Sequence, residues 1–405
     1  MKGFFLLLHK THNVNYILFD GPSRNNLLPL TYTRPVAEIR VGILTIREKW
    51  EAFLESTITF VTEDYLSDKY PMLEFDKNIF INASFLPNNK LVNLIINLKP
   101  NELINSGDDL IAFYSEENQD DVDLDSFKKI PYNDKALQLN SLTDIFKINS
   151  LAIEKDFNLL TKNKNSSKIS KTNNLINPDN IFIEEGLKME YSTLNASNGP
   201  IYISKNCEIM EGSLIRGPFA LGENSTLKLG SKIYGGTTIG PYSSIGGEVK
   251  NSIVQGYSNK GHDGFLGNSL IGEWCNLGAD TNTSNLKNNY ADVKIWNYDH
   301  NKFLSTGEQF CGLIMGDHSK SGINTMFNTG TVVGVCSNVF GSGFPRNFIP
   351  SFSWGGNKGF SNYKIEKVFE VNDKVMKRRN CNFSDQDKAI FTHLNNITSS
   401  YRSNF

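Results

Sequence analysis

No apolar stretch in this sequence reaches the roughly 18 residues that a membrane-crossing helix needs, so no spanning segment is expected. A dominant charge is missing too. The 41 Lys and Arg stand against 43 Asp and Glu, a formal net charge of −2, which leaves no chain-wide basic field for nucleic acid or anionic lipid. Cysteine is sparse: Cys207, Cys275, Cys311, Cys336 and Cys381 are odd in number, widely spaced and without a CxxC pair. That pattern argues against a disulfide framework and against a structural zinc site, and for a reducing cytoplasm. The opening MKGFFLLLHK is too short in its apolar run for a signal-peptide core and reads as an extended start or a short strand. What is present, 39% hydrophobic and 21% charged residues over 405 positions, describes a globular chain of two or three domains.

The first half alternates short apolar runs with amphipathic ones: YILF, ILTIREKWEAFL, ITFVT, LVNLIINL and LIAFY between residues 15 and 160. Alternating strand-like and helix-like periods predict an α/β domain over 13–161 with a mostly parallel sheet. The acidic SEENQDDVDLD (115–125) reads as a solvated loop, and SLTDIFKINSLAIEKDFNLL (141–160) as a closing helix pair. KNKNSSKISKTNN follows with almost nothing to bury, so a linker is expected over 162–195.

Beyond it the period changes to six. Ile203, Ile209, Ile215, Leu221, Leu227, Ile233, Ile239 and Ile245 are spaced six apart, and neither a helix nor a lone strand generates that spacing. It is the hexapeptide signature of a parallel β-helix, each short strand sending one aliphatic side chain into a prism-shaped core. Ile271, Leu277, Met315, Phe327 and Val333 resume the pattern, placing the repeat at 196–355, while 286–313 does not fit and reads as an extruded loop on a binding face. The tail, 356–405, with KIEKVFEVNDKVMKRRN, is expected to be a helical cap over the open end of the coil.

Within the repeat, EVKNSIVQGYSNKGHDGFLGNSLIGEWCNLGADTNTSN resembles the acetyltransferase half of the bifunctional N-acetylglucosamine-1-phosphate uridyltransferase/glucosamine-1-phosphate acetyltransferases. The likeness is closer still to the alternative, Bacteroidetes-type form, and extends to NYILFDGPSRNNLLPLTYTRPVAEIRVGILTIREKW near the start. The resemblance implies a left-handed β-helix that assembles as a homotrimer, with acetyl-CoA and an amino-sugar phosphate bound between subunits. It makes His262 the catalytic base, and the residue type suits the chemistry: an amine attacking a thioester must lose a proton, which imidazole accepts near neutral pH. It also implies that Lys250 holds the sugar phosphate, that Asn276 contacts the sugar, and that Ala279 and Asn285 lie beside acetyl-CoA. Phe265 replaces the family's tyrosine and so lacks one hydroxyl. Turns such as Gly278-Ala279 offer backbone N–H groups to an oxyanion.

In the first half, YILF runs into DGPSR, which resembles the phosphate-cradling turn of sugar-nucleotide transferases, with Gly21 at the turn and Arg24 toward the triphosphate. The family's next phosphate-binding lysine is Val36 here, leaving Arg34, Arg40 and Lys49 as replacement cations. The Mg²⁺ such a transfer uses has Asn82 as its candidate ligand, with Asp108, Asp109 and Asp144 as alternatives. The expected function is acetyl transfer to glucosamine 1-phosphate, then uridylyl transfer from UTP. Three other readings stay open: nucleotidyl transfer to another sugar phosphate on an oligomerising β-helix, a zinc hydratase using His262, His300 and His318, and a scaffold without catalysis.

Overall fold

The computed structural model describes residues 14–116 and 122–403. The apolar opening and the centre of the acidic loop lie outside them. In the amino-terminal domain, β1 (Asn15–Phe19), β2 (Thr59–Val61), β3 (Asn78–Asn82), β4 (Glu102–Ser106), β5 (Asp109–Ser115) and β6 (Lys128–Pro131) form one sheet in the order β2-β1-β3-β5-β4-β6. The sheet is mostly parallel, as the alternation indicated, with β5 its one reversed strand. β1 runs parallel to β2 and β3, but β5 runs antiparallel to β3 and β4. The cause is local: Gly107, at φ 59°, makes a two-residue turn that folds β4 straight back into β5.

Helices α1 (Ile46–Leu54), α2 (Asp64–Ser67), α3 (Asn89–Ile96) and α4 (Leu142–Thr161) flank the sheet. Thr45 and Glu48 form a capping box at the start of α1, and Ser141 and Asp144 do the same for α4. The expected helix pair at 141–160 is instead this single 20-residue helix, because no Gly or Pro interrupts it.

The β-helix has three sheets of six, nine and ten strands, and its strands pair in parallel until the last turn. It starts earlier than expected. Asn174–Ile176, Ile181–Ile183 and Lys188–Met189 already pair with the coils that follow, so most of the supposed linker is solenoid. The eight six-spaced aliphatics are all at most 2% exposed and line its interior. The architecture is thus the one that the apolar patterns indicated, an α/β domain followed by a parallel β-helix.

The nine-stranded sheet does not face solvent. Phe182, Tyr202 and Ala220 on its outer surface pack against Ile43, Ile153 and Phe157 of the first domain. Residues 286–313 leave the coil as an antiparallel hairpin, Lys294–Asn297 with Lys302–Ser305, which leans on the first domain through Tyr32 and Tyr298, 5.4 Å apart edge to face. Helices α5 (Ile365–Lys377) and α6 (Asp385–Ile397) lie along the flank of the coil rather than over its end. Phe383, in the connection between them, and Phe391 of α6 reach His318, and Lys69 after α2 pairs with Asp387 at 2.8 Å. The final rung is closed by the antiparallel pair Ser353–Gly356 and Gly359–Asn362. No helix among the described residues is long and apolar enough to cross a membrane.

Candidate active site

With the nine-stranded sheet covered, the edge between the ten- and six-stranded sheets is a corner open to solvent, and His262 stands on it. The chain leaves the ten-stranded sheet at Asn259–Lys260, turns through Gly261-His262-Asp263-Gly264, and enters the six-stranded sheet at Phe265–Gly267. Gly264, at φ 113°, is required there: a Cβ would collide with the Thr281 carbonyl of the next coil. His262 and Asp263 are both exposed.

Register brings several expected residues to the same strip. Asn259 pairs with Asn276, an offset of 17 that puts Ala279 one coil above His262. Phe265 pairs with Glu248, and Gly267 with Lys250, so Phe265 and the exposed Lys250 occupy neighbouring strands of the six-stranded face. Asn285 donates to Asn268 Oδ1 at 2.9 Å, and its amide lies where a Cβ on Gly267 would meet it at 2.7 Å, beside the Phe265 ring at 2.5 Å. Asn276 lies on the ten-stranded side, before the corner. The Gly278 N–H is taken by the Ser321 carbonyl (3.0 Å), which leaves Ala279 as the remaining oxyanion donor of that pair.

One residue of this corner escaped the sequence reading. Lys260 sits inside the coil, 2% exposed, in the inward column that Ile245 and Leu277 continue on either side. Its ammonium donates to the carbonyls of Gly246 (3.1 Å) and His262 (2.9 Å), and burial pushes its pKa down to about 8. The available signal was a lysine two places before the histidine.

The expected nucleotide-binding cations are all engaged in the fold. Arg24 is buried, donating to Asp20 (3.1 Å), the Thr31 carbonyl (2.7 Å) and Tyr65 (3.0 Å). Arg34 reaches across to the β-helix, where it pairs with Asp317 and, at 3.2 Å, with Glu273. Arg40 donates to the Ile43 carbonyl at 2.5 Å, and its backbone exchanges bonds with the Gln255 side chain (2.7 and 3.1 Å). Lys49 is 3% exposed and pairs with Asp156. All four are thus held by protein partners in this structure, and three of them, Arg24, Arg34 and Lys49, are buried. Gly21 does make the close approach expected of it, but toward protein: a Cβ there would lie 2.6 Å from the Asn82 amide.

Residues 16–165 match the model of a sugar nucleotidyl transferase family. That match covers the amino-terminal domain and stops before the β-helix. Among relatives of the whole chain, the bifunctional protein GlmU of Rippkaea orientalis is 28% identical over 175 residues, 38% of this chain and 34% of that one. A bifunctional sugar-1-phosphate nucleotidylyltransferase/acetyltransferase of Sulfurisphaera tokodaii is 28% identical over 148 residues, 35% of each. The chain therefore spans about a third of the length of these relatives. The solved structure of an Arabidopsis UDP-N-acetylglucosamine acyltransferase is 13% identical, covering 59% of this chain and 83% of its own, with a TM-score of 0.26.

In the amino-terminal domain the side chains do not fit the Mg²⁺ expected of it. The Asn82 oxygen accepts from the Ser84 N–H (3.0 Å) and hydroxyl (2.9 Å), while its amide donates to the Leu110 carbonyl (3.0 Å). Asp108 and Asp109 are exposed at the turn after β4, and Asp144 caps α4. No group of three or more His, Cys, Asp or Glu able to hold a metal occurs among the described residues. The same geometry separates the histidines of a zinc site: His262 is on the open corner, His300 in the hairpin, and His318 buried under α6.

Proposed function

We propose that the chain acetylates the amino group of a hexosamine 1-phosphate from acetyl-CoA on its β-helix, and that the amino-terminal domain then joins the product to uridylyl from UTP. The observation that supports the first step is His262, exposed on an open corner of the coil with Lys250, Phe265 and Asn285 along the adjoining face. The amine nitrogen attacks the thioester carbonyl, His262 takes the proton that the nitrogen loses, and the C–S bond breaks to release coenzyme A, whose sulfur regains a proton. Lys250 holds the phosphate, and Asn276 the sugar. Because the corner is one wall only, a neighbouring subunit supplies the other, which makes a homotrimer the working assembly.

Uridylyl transfer rests on the family match and on the bifunctional relatives, without help from Arg24, Arg34, Arg40 or Lys49. Purified protein given acetyl-CoA, UTP, Mg²⁺ and a panel of hexosamine phosphates, with products identified by mass, tests both steps. His262→Ala is expected to lower acetyl transfer about 100-fold or more, the scale of a lost general base. Acetylation by that variant near the wild-type rate overturns the assignment, and pyrophosphate release with no use of acetyl-CoA favours a nucleotidyltransferase alone.

A further inference from the structure

Helices α1 and α4 and the residues that lead into α3 wall a cavity of about 430 Å³ in the amino-terminal domain. Sites for small ligands usually occupy roughly 300–1,000 Å³, and this one falls inside that range. The void between Arg34, Asp317 and His318, at about 30 Å³, holds a water or two and no more. Nothing from the His262 corner lines the larger cavity, nor do Gly21, Arg24 or Asn82. Its apolar walls are Phe53 of α1, Leu86 and Pro87 ahead of α3, Leu137, and Ala152 and Leu159 of α4.

Charge around it is one-sided. Three lysines line it, Lys49, Lys155 and Lys162, against a single carboxylate, Asp156. That carboxylate is already engaged: its Oδ2 accepts from Lys49 and from the N–H groups of Ile43 (2.7 Å) and Leu44 (3.1 Å). Lys49 is buried and carries three N–H donors, of which Asp156 takes one. Lys155 and Lys162 are exposed, and neither ammonium has a carboxylate partner among the described residues. The cavity thus joins an apolar interior to a mouth with two unmatched positive charges.

We propose that this cavity binds a small amphipathic anion, an apolar body carrying one carboxylate, with the carboxylate at Lys155 and Lys162 and the body against Phe53, Leu86 and Leu159. Apolar walls make it a poor seat for a nucleoside triphosphate, whose several charges would lose water without finding partners inside. The lysines at the mouth favour a charged ligand over a neutral one of the same shape, and leave the carboxylate partly in water, where it is cheapest to hold. The position also matters to the rest of the chain. The helix that supplies Ala152, Asp156 and Leu159 is the one that docks on the coil, where Asn149 donates to the Gly236 carbonyl (2.8 Å) and Phe157 meets Tyr202 edge to face. A ligand that braces α1 against α4 therefore steadies the contact between the two domains. This site stands independently of the acetyl- and uridylyl-transfer reading.

The test titrates the full chain with phenylpropionate, octanoate and the neutral phenylpropanol, by calorimetry and by thermal melts. Saturable binding of at least one of the two acids is expected, with a melting temperature that rises with its concentration. Phenylpropanol should bind more weakly than phenylpropionate, and UTP should displace neither acid. Lys155→Glu/Lys162→Glu reverses both charges at the mouth on an exposed helix surface, and is expected to weaken binding of the acid about 10-fold, the scale of two partly exposed charges, with the melting temperature of the free protein retained. Leu159→Trp fills the cavity and should abolish binding; if it does not fold, the double reversal carries the test. No saturable binding of either acid, equal affinity for phenylpropanol, displacement by UTP, or wild-type affinity in the folded variants overturns the proposal. So does binding that disappears as the protein is concentrated, which would mean that a second copy of the chain fills the groove.

Discussion

Lys260 occupies an interior column of aliphatic side chains, with Ile245 below it and Leu277 above, yet ends in a charge that must be solvated by two carbonyls. One of those carbonyls belongs to His262, so the ammonium fixes the backbone of the proposed base. The cost has a definite sign. With a folded pKa of about 8 against 10.5 for an exposed lysine, the penalty is fully present below pH 8 and fades as pH rises to 10.5. At about 1.4 kcal/mol per unit, it amounts to at most about 3 kcal/mol. Lys260→Met is therefore expected to be more stable than wild type in urea unfolding at neutral pH, to lose that advantage by about pH 10.5, and to acetylate more slowly. Equal stability changes at both pH values would refute the account. Why the sequence hid this residue is a matter of coil length: Ile245 to Lys260 is 15 positions, whereas Leu227 to Ile245 is 18, so counting in sixes steps past it. Arg34 was visible as a cation but its partner was not, because Asp317, which holds it, lies 283 positions away.

At the corner between the nine- and ten-stranded sheets, successive coils place Tyr242, Tyr257, Trp274 and His318 in left-handed backbone, with φ between 52° and 60°. Cβ-bearing aromatics tolerate this because they stack, at 5.0, 4.3 and 6.0 Å, and because α6 covers the end of the column through Phe391, 5.1 Å from His318. The column ends in an imidazole that burial pushes well below its ordinary pKa, with Lys320 two residues on, Lys69 after α2 and Arg34 opposing its charge, Asn372 of α5 favouring it, and Asp317, Glu273 and Asp387 around the same void. A histidine held neutral in the fold makes stability fall as pH drops below about 6.5, by up to 1.4 kcal/mol per unit. His318→Phe should flatten that slope in urea melts between about pH 7 and 5, and an unchanged slope would show that another group is responsible. The inward hexads were legible because one residue in six must be aliphatic for the prism to fill. The corner stack was not, since its spacing of 15, 17 and 44 residues follows coil lengths and the hairpin insertion. The β4–β5 reversal, by contrast, was written in SGDD and missed.

Taken as one body, the protein binds its amino-terminal domain to the β-helix by buried polar links as well as apolar packing. Arg34 joins Asp317 and Glu273, and Asn149 of α4 donates to the Gly236 carbonyl (2.8 Å) while accepting from the Gly42 N–H (2.6 Å). Such links set the hairpin against the first domain and leave the His262 corner outward. Removing a single partner from a buried ion pair leaves the others desolvated without compensation, which typically costs about 3–5 kcal/mol, whereas replacing both partners by apolar groups costs far less. Arg34→Met is thus expected to destabilise the whole chain by about that amount in a single unfolding transition, with Arg34→Met/Asp317→Leu recovering much of the loss. Were Arg34 instead a nucleotide ligand resting against the interface, its removal would weaken UTP binding and leave unfolding nearly unchanged. Two separate transitions, with only one shifted by Arg34→Met, would mean that the domains fold apart.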